Sequence, residues 1–268
     1  MIALENDNSY APKYPVQTLE KALDVIEILS KESGSGLGVS ELSRKLEIGK
    51  STIHRILDTL TGYGYVDKVP KTSNYRLSWR LYEIGNVVPR QRDLGSFDSE
   101  ILQELCNNHE EAVNLGIRIK NHVVIISKVE PVMATLRANL LIGEHEPLHA
   151  TALGKMLMSE MEPSKLQDVL STETFQAYTP NTIQTLPELL TELKKITEQG
   201  YAIDDQEFCI GLTCIAMPIR NYNNEIVAAV SVSGPSVRIG VSKILEIKEG
   251  LSIASKKLSE YLGCNDRM

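Results

Sequence analysis

The stretch that decides the fold is Val39–Leu77, VSELSRKLEIGKSTIHRILDTLTGYGYVDKVPKTSNYRL. Its first part predicts a short helix with Ser40 as the N-cap, because a serine hydroxyl can accept a hydrogen bond from a free amide of the first turn. Ile48 and Gly49 then predict a turn, and a second helix starts at Lys50. This second helix has one apolar face with the i, i+3, i+4, i+7 spacing of a buried stripe. The residues of that face are Ile53, Ile56, Leu57 and Leu60.

Two short segments of strand composition follow this helix. They are Tyr65–Val69 and Asn74–Leu77, and residues 70–73 between them predict a hairpin turn. A helix, a turn, a second helix and a hairpin in this order predict a winged helix-turn-helix. That motif places its second helix in the major groove of DNA.

The polar face of the second helix has the chemistry of a DNA reader. Arg55 is a candidate for bidentate contact with guanine, and hydroxyl side chains serve a base or a phosphate. Lys50 and the helix N-terminus predict a phosphate contact. We therefore expect contacts to DNA from the two helices and the hairpin. The candidate DNA-binding residues are Ser40, Lys50, Ser51, Thr52, His54, Arg55, Lys71 and Arg76.

The charge of the chain is unevenly distributed. The 268 residues carry a formal net charge of −7, yet residues 40–80 alone carry +4, which leaves −11 for the rest. A basic module attached to an acidic body is the distribution expected when only one part of a protein meets phosphate.

The length is comfortable for two domains. We expect a loosely ordered arm at residues 1–16, a winged helix-turn-helix at 17–77, a linker helix at 78–94 and a second domain at 95–268. The first domain begins with a helix from Gln17 whose predicted apolar stripe packs on the two helices described above. That stripe consists of Leu19, Ala22, Leu23, Ile26 and Leu29.

The second domain alternates helix and strand patterns that predict an α+β fold with a mainly antiparallel sheet. We expect helices at 101–109, 152–161, 163–170, 187–199 and 241–262, and strands at 112–120, 122–129, 135–142, 214–220 and 226–233. In the last strand, the period of two puts Val227, Ala229, Ser231 and Ser233 on one face. Two hydroxyls beside small residues leave space for a ligand held by hydrogen bonds.

Three segments carry a resemblance to a known family. They are Lys50–Arg55 (KSTIHR), Pro147–Lys155 (PLHATALGK), and a signature that runs from Gly200 to Pro235. Together they resemble the IclR family of bacterial transcriptional regulators, over about residues 16–262. The resemblance implies a winged helix-turn-helix, a linker helix and a GAF-like effector-binding domain. It also implies a homodimer or a dimer of dimers on a palindromic operator. We expect a repressor that needs no cofactor.

The resemblance further implies a small-molecule effector, such as an organic acid, an aromatic acid or a sugar acid. Carried over by position, the effector-binding residues are Ala152, Leu153, Asp204, Leu212, Cys214, Ser231 and Ser233. An anionic effector needs a cation or several amides. We consider Arg118 and Arg137 for that role, and the alternative is an ion pair with an acidic neighbour at the surface.

Other functions remain open from the sequence. One alternative hypothesis is an enzyme in which Cys214 is the nucleophile, His149 the base and Asp204 the group that orients the base. Against it, the sequence contains no known catalytic motif. An architectural DNA protein is a third hypothesis.

We expect no metal site, because no pair of cysteines has zinc-finger spacing. The chain has no apolar run of 18 residues and no apparent export signal, so we expect a cytoplasmic protein with free thiols.

Overall fold

The computed structural model describes residues 12–32, 35–70, 72–85, 87–88, 99–132, 141–171 and 175–264. Contacts divide the chain into two compact units, Met1–Gly95 and Ser96–Met268. Lys71, Arg137 and most of the strand expected at 135–142 lie outside the described residues.

The first unit is a winged helix-turn-helix, as the sequence predicts. Its elements are α1 (Gln17–Ser30), α2 (Val39–Leu46), α3 (Lys50–Gly62), β1 (Val66–Lys68), β2 (Tyr75–Leu77) and α4 (Trp79–Gly85). Strands β1 and β2 form an antiparallel hairpin. A third segment joins the hairpin at Leu37, whose amide donates to the Tyr75 carbonyl at 3.0 Å and whose carbonyl accepts from the Tyr75 amide at 2.8 Å.

The core of this unit confirms the predicted face of α3 and corrects that of α1. Ile53, Ile56 and Leu57 are buried, and Leu60 is partly buried against them. In α1 the buried residues are Val25 and Leu29. The expected stripe is wrong at two positions, because Leu19 and Leu23 are 58% and 54% exposed. The packing of α1 on β2 and α3 turns the face of Val25 inward instead.

The expected N-cap of α2 is also wrong. The helix already begins at Val39, and its N-cap is Gly38. Glu41 closes the first turn, because its Oε2 accepts from the Gly38 amide at 3.0 Å. Ser40 is therefore the second residue of the helix, and its side chain is exposed.

The second unit is α+β. Its helices are α5 (Ser99–His109), α6 (Ala152–Met158), α7 (Pro163–Leu170), α8 (Leu186–Gln199) and α9 (Val241–Tyr261). Its strands are β3 (Ala112–Ile119), β4 (His122–Val129), β5 (His145–Pro147), β6 (Ala202–Asp205), β7 (Leu212–Arg220) and β8 (Ile226–Pro235). The strands form one antiparallel sheet in the order β5-β4-β3-β8-β7-β6. The edge strands β5 and β6 were not predicted.

The sheet separates two apolar cores. One face packs on α5 and α9, and Val230 and Val232 of β8 point into this core. The other face packs on α6, α7 and α8, where Ala229 is buried. The alternation predicted for β8 is therefore present, and it leaves Ser231 and Ser233 on the side of α6. Among the described residues, no helix is long and apolar enough to cross a membrane.

We predict that Gly36→Ala destabilises the first unit by about 2 kcal/mol or more. Gly36 has a φ of +65°, and an added Cβ would lie 2.4 Å from the Tyr75 carbonyl oxygen, so the segment at Leu37 would have to leave β2. Urea unfolding of the full chain, followed by circular dichroism, measures the change.

Gly62→Ala is the matched control for this substitution. Nothing lies within 4 Å of an added Cβ there, and the residue belongs to helix α3. Alanine should therefore stabilise the unit by about 0.5–1 kcal/mol. If Gly36→Ala unfolds at the same urea concentration as the wild type, the close approach at Tyr75 does not constrain the hairpin.

Candidate DNA-reading face and effector cavity

Helix α3 divides sharply into a buried face and an exposed face. While Ile53, Ile56 and Leu57 are buried in the core, the opposite side is polar. Lys50, Ser51, His54 and Arg55 are exposed there, and Thr52 is partly buried. The candidate residues of this helix thus lie together on its polar side, opposite the buried face.

The hairpin adds further cations. Arg76 is exposed on β2, opposite Asp67 of β1. Lys68 lies with its Nζ 5.8 Å from the centre of the Tyr75 ring. Lys71, also a candidate, is outside the described residues. Ser40 is exposed on α2, one helix away from the exposed face of α3.

In the second unit, all seven candidate effector residues line one small cavity. Its free volume is about 10 Å³, which is room for about one water molecule. The lining residues that the sequence predicted are Ala152, Leu153, Asp204, Leu212, Cys214, Ser231 and Ser233. Three more line it that sequence reasoning missed, Glu146, Thr151 and Phe208. Thr151 is the N-cap of α6, so a capping analysis would have placed it beside Ala152.

Strand register explains why residues far apart in sequence meet at this cavity. Asp204 of β6 is paired with Cys214 of β7, and Cys214 is paired with Ser233 of β8. Directly opposed residues of neighbouring antiparallel strands point to the same face of the sheet. Asn114 of β3 extends this polar group, because its Nδ2 donates to the Ser233 Oγ at 3.1 Å.

The carboxyl group of Asp204 also holds the turn that follows β6. Its Oδ1 accepts from the amide of Glu207 at 2.7 Å and from that of Phe208 at 3.4 Å. Burial raises the pKa of Asp204 to about 7, although the Glu207 amide and the Lys155 ammonium favour its charged form. Asp204 therefore positions Phe208 in addition to lining the cavity.

Lys155 holds the helix wall of the cavity against the turn that follows β6. The residue is fully buried, and its Nζ donates to the Ile203 carbonyl at 2.6 Å and to Glu207 Oε1 at 2.5 Å. Glu192 lies 3.9 Å from the same ammonium. Because Lys155 belongs to α6, these contacts bind the helix that carries Ala152 and Leu153 to the turn that carries Phe208.

Glu146 is the second carboxyl group of the cavity. Only 5% of its surface is exposed, and burial raises its pKa to about 7, with the charge of Glu144 acting in the same direction and that of Lys128 against it. Its Oε1 is buried and has no hydrogen-bond partner among the described residues. Sequence reasoning missed it because β5 has only three residues, too few for a pattern.

The groups proposed for a catalytic triad do not have the required environment. Burial raises the pKa of the Cys214 thiol well above its usual value, which disfavours the reactive thiolate. His149 is buried, with its Nε2 3.1 Å from the Gln176 carbonyl oxygen and its ring near Phe175 and Tyr178, and it does not line the cavity.

The cation and metal candidates can also be placed in part. Arg118 does not line the cavity, and its Nη1 donates to the carbonyl of Lys120. Arg137 is outside the described residues. Within the described part of the chain, no group of three or more His, Cys, Asp or Glu side chains is arranged to hold a metal ion.

We predict that the buried carboxyl of Glu146 makes the second unit less stable as the pH rises. Its folded pKa is about 7 against an ordinary value of 4.5, so between these values the folded protein holds a proton that the unfolded chain has released. The free energy of unfolding therefore falls from about pH 4.5 to about pH 7, by up to about 3 kcal/mol for this group. Urea unfolding at pH 5 and pH 8 should show a smaller loss in Glu146→Gln than in the wild type. Equal losses in both proteins would contradict the burial argument, since Asp204 is present in each.

Comparisons with known proteins agree with this architecture. Residues 18–70 match the model of the IclR helix-turn-helix domain, and residues 88–260 match that of the C-terminal part of the bacterial transcriptional regulator IclR. Two curated relatives are similar over most of the chain. The regulator XynR of Escherichia coli K12 is 32% identical, over 92% of this chain and 98% of that protein. The regulator KdgR of Dickeya chrysanthemi is 31% identical, over 94% of this chain and 81% of that protein.

Solved structures show the same fold. The crystal structure of the Thermotoga maritima IclR superposes with a TM-score of 0.76 at 29% identity, covering 92% of this chain and 99% of that one. Both halves of the chain therefore match one family in sequence and in structure. The chain belongs to the IclR family of transcriptional regulators, as a DNA-binding regulator with a C-terminal effector domain.

Proposed function

We propose that this protein is a repressor whose affinity for DNA is controlled by a small metabolite bound in the cavity of the second unit. The single observation that carries the proposal is the divided surface of α3. Its apolar half is buried, and Lys50, His54 and Arg55 on the other half are exposed. In a helix-turn-helix, side chains at the start of the second helix reach the base edges.

The operator we propose is a palindrome bound by a homodimer or a dimer of dimers. A two-fold dimer places its two reading helices on half-sites about one helical turn of DNA apart, or a multiple of it. Arg55 would read a guanine, while Lys50, Ser51 and Arg76 would contact phosphates or sugars. Ser40, Thr52 and Lys71 complete the proposed interface. Such a protein works in the cytoplasm, where bacterial DNA lies.

The effector is proposed to lie among the residues that converge on the cavity. Ser231 and Ser233 are each 1% exposed, so a hydrogen bond from either hydroxyl to a ligand would be shielded from water. The family resemblance favours an organic acid or a sugar acid, and the two serines favour a hydroxylated compound. A ligand controls DNA binding only if its affinity differs between two arrangements of the protein, and that difference sets the size of the response.

We propose a regulator without enzymatic activity. The enzyme reading needs an activated Cys214 with His149 as its base. Burial raises the thiol pKa, and the imidazole Nε2 lies by the Gln176 carbonyl instead. Turnover of a bound metabolite by the purified protein would instead support the enzyme hypothesis.

We expect Arg55→Ala to reduce discrimination between the operator and single-base variants of it. The loss of a bidentate contact should relax the preference at one base pair by about 5- to 150-fold. Fluorescence anisotropy with labelled duplexes measures this, once footprinting of the full chain has located an operator. Unchanged discrimination would mean that α3 does not read bases through Arg55.

Arg76→Ala and Lys31→Ala provide the comparison. Loss of a phosphate contact at Arg76 should weaken binding to all sequences alike and lower the salt slope by about one. Lys31 is an exposed cation just beyond α1, outside the proposed interface, so its loss should change neither quantity.

For the effector half, we expect that replacing Ser231 and Ser233 together by alanine leaves DNA binding intact and weakens the response to effector. Each lost hydroxyl should reduce effector affinity about 2- to 12-fold. A reporter gene placed behind the operator, in cells grown on different carbon sources, measures the response without knowledge of the effector. Ser252→Ala, at an exposed position of α9, is the control. A full response in the double variant would remove these serines from the site.

A further inference from the structure

The hairpin of the first unit has little core of its own. Strands β1 and β2 have three residues each, and between them Val69 is half-buried while Pro70, Thr72 and Ser73 are exposed. A single hairpin of two strands is at best marginally stable in water. Contacts from outside the hairpin are therefore needed to hold it in one place.

Asn74, at the base of the hairpin, supplies such contacts with its side chain. Its Nδ2 donates to the carbonyl of Ser35 and to that of Gly36, both at 3.2 Å. An amide N–H₂ group has two hydrogens, so one can serve each carbonyl. The backbone continues the same contact one residue further on, where Leu37 and Tyr75 exchange both of their hydrogen bonds. The side chain thus extends an edge pairing that the backbone makes at a single residue pair.

The backbone of Asn74 connects the same residue to the rest of the hairpin. Its carbonyl accepts from the Val69 amide at 2.7 Å, and its amide donates to Thr72 Oγ1 at 3.3 Å. Its Oδ1 also lies beside the N-cap of α2, since a Cβ on Gly38 would be 3.2 Å from it. Asn74 therefore joins the hairpin, the segment before α2 and the start of α2.

Arg76 lies two residues further along β2, and it is exposed. When a long side chain is immobilised at an interface, the lost conformational freedom lowers the affinity by about 2- to 12-fold. A strand that is already fixed on both edges removes part of that cost before DNA binds. Here β1 fixes one edge of β2, and residues 35–37 fix the other.

We propose that Asn74 is a positioning residue for DNA binding, which clamps β2 to residues 35–37 and so holds Arg76 against the phosphate backbone. This inference rests on the proposed function, in which Arg76 contacts a phosphate. Asn74 is neutral and is not itself a proposed contact, so it acts through the placement of the guanidinium group. Contacts of this kind set the register of a protein on the duplex.

The salt dependence of DNA binding tests the proposal. The logarithm of the binding constant falls with the logarithm of the salt concentration, with a slope of about 0.9 for each phosphate contact. Fluorescence anisotropy of the full chain with the operator duplex, between about 50 and 200 mM salt, measures this slope. We expect Asn74→Ala to lower the slope as much as Arg76→Ala does, by about one per protomer, although no charge is removed. An unchanged slope in Asn74→Ala would overturn the proposal.

A double-mutant cycle shows whether Asn74 acts through Arg76. In the Asn74→Ala background, Arg76→Ala should lower neither the slope nor the affinity any further, because the contact is already lost. If the two substitutions instead have additive effects, Asn74 does not position Arg76 and the proposal is wrong.

Ser30→Ala is the matched control. The Ser30 Oγ donates to the Glu27 carbonyl at 2.8 Å at the end of α1, outside the hairpin. The variant loses a side-chain hydrogen bond of the same unit, and its slope should equal that of the wild type. An equal fall of the slope in Ser30→Ala would mean that any loosening of the unit has this effect, and it would overturn the role of Asn74.

Asn74→Ser provides a second variant if circular dichroism shows that Asn74→Ala is unfolded. A serine has one hydroxyl hydrogen in place of two amide hydrogens, so it cannot hold both carbonyls, and its slope should also fall. A wild-type slope in folded Asn74→Ser would contradict the proposal. If Arg76→Ala alone leaves the slope unchanged, the proposed interface and this inference are both wrong. If Arg76→Ala lowers it and the Asn74 variants do not, this inference alone fails.

Discussion

The cavity depends on one buried ammonium group, that of Lys155. It connects two walls that the chain order keeps apart, because it extends from α6 to the Ile203 carbonyl and the Glu207 carboxylate beside β6. Removal of one partner of a buried ion pair commonly destabilises a protein by 3–5 kcal/mol, since the other charge is left without compensation. The pair therefore fixes the spacing between Leu153 on the helix and Phe208 on the turn. This fixed spacing sets the width of the small cavity between the helix and the turn.

Much of this arrangement follows from local sequence patterns. The apolar spacing in α3 identifies both the buried face and, by exclusion, the exposed face with Arg55. In β8 the period of two alone predicts that Ser231 and Ser233 share a face. Local patterns do not determine the register between strands, however. That register places Asp204 opposite Cys214, and Cys214 opposite Ser233. The resemblance to a family supplied that grouping, and the residues of the sequence by themselves did not.

The wrong expectations have physical causes of the same kind. In α1, two overlapping stripes satisfy helical periodicity, and only contact with β2 and α3 selects the one that contains Val25. At α2, a glycine amide satisfied by Glu41 serves as well as a capping serine, so the helix starts one residue before Ser40. Glu146 was missed for a different reason. A strand of three residues carries no periodicity, and its burial results from pairing with β4.

The polar lining of the cavity is best understood as a compromise between stability and binding. An apolar core at the same place would be more stable, because burial of Glu146 and Asp204 raises the pKa of each carboxyl and penalises its charged form. Asp204 recovers part of that penalty by accepting two backbone hydrogen bonds from the turn. Glu146 has no comparable partner within the described chain, so its penalty persists in the unliganded protein. A bound ligand would favour one arrangement of the protein only if its contacts with these groups differed between the arrangements.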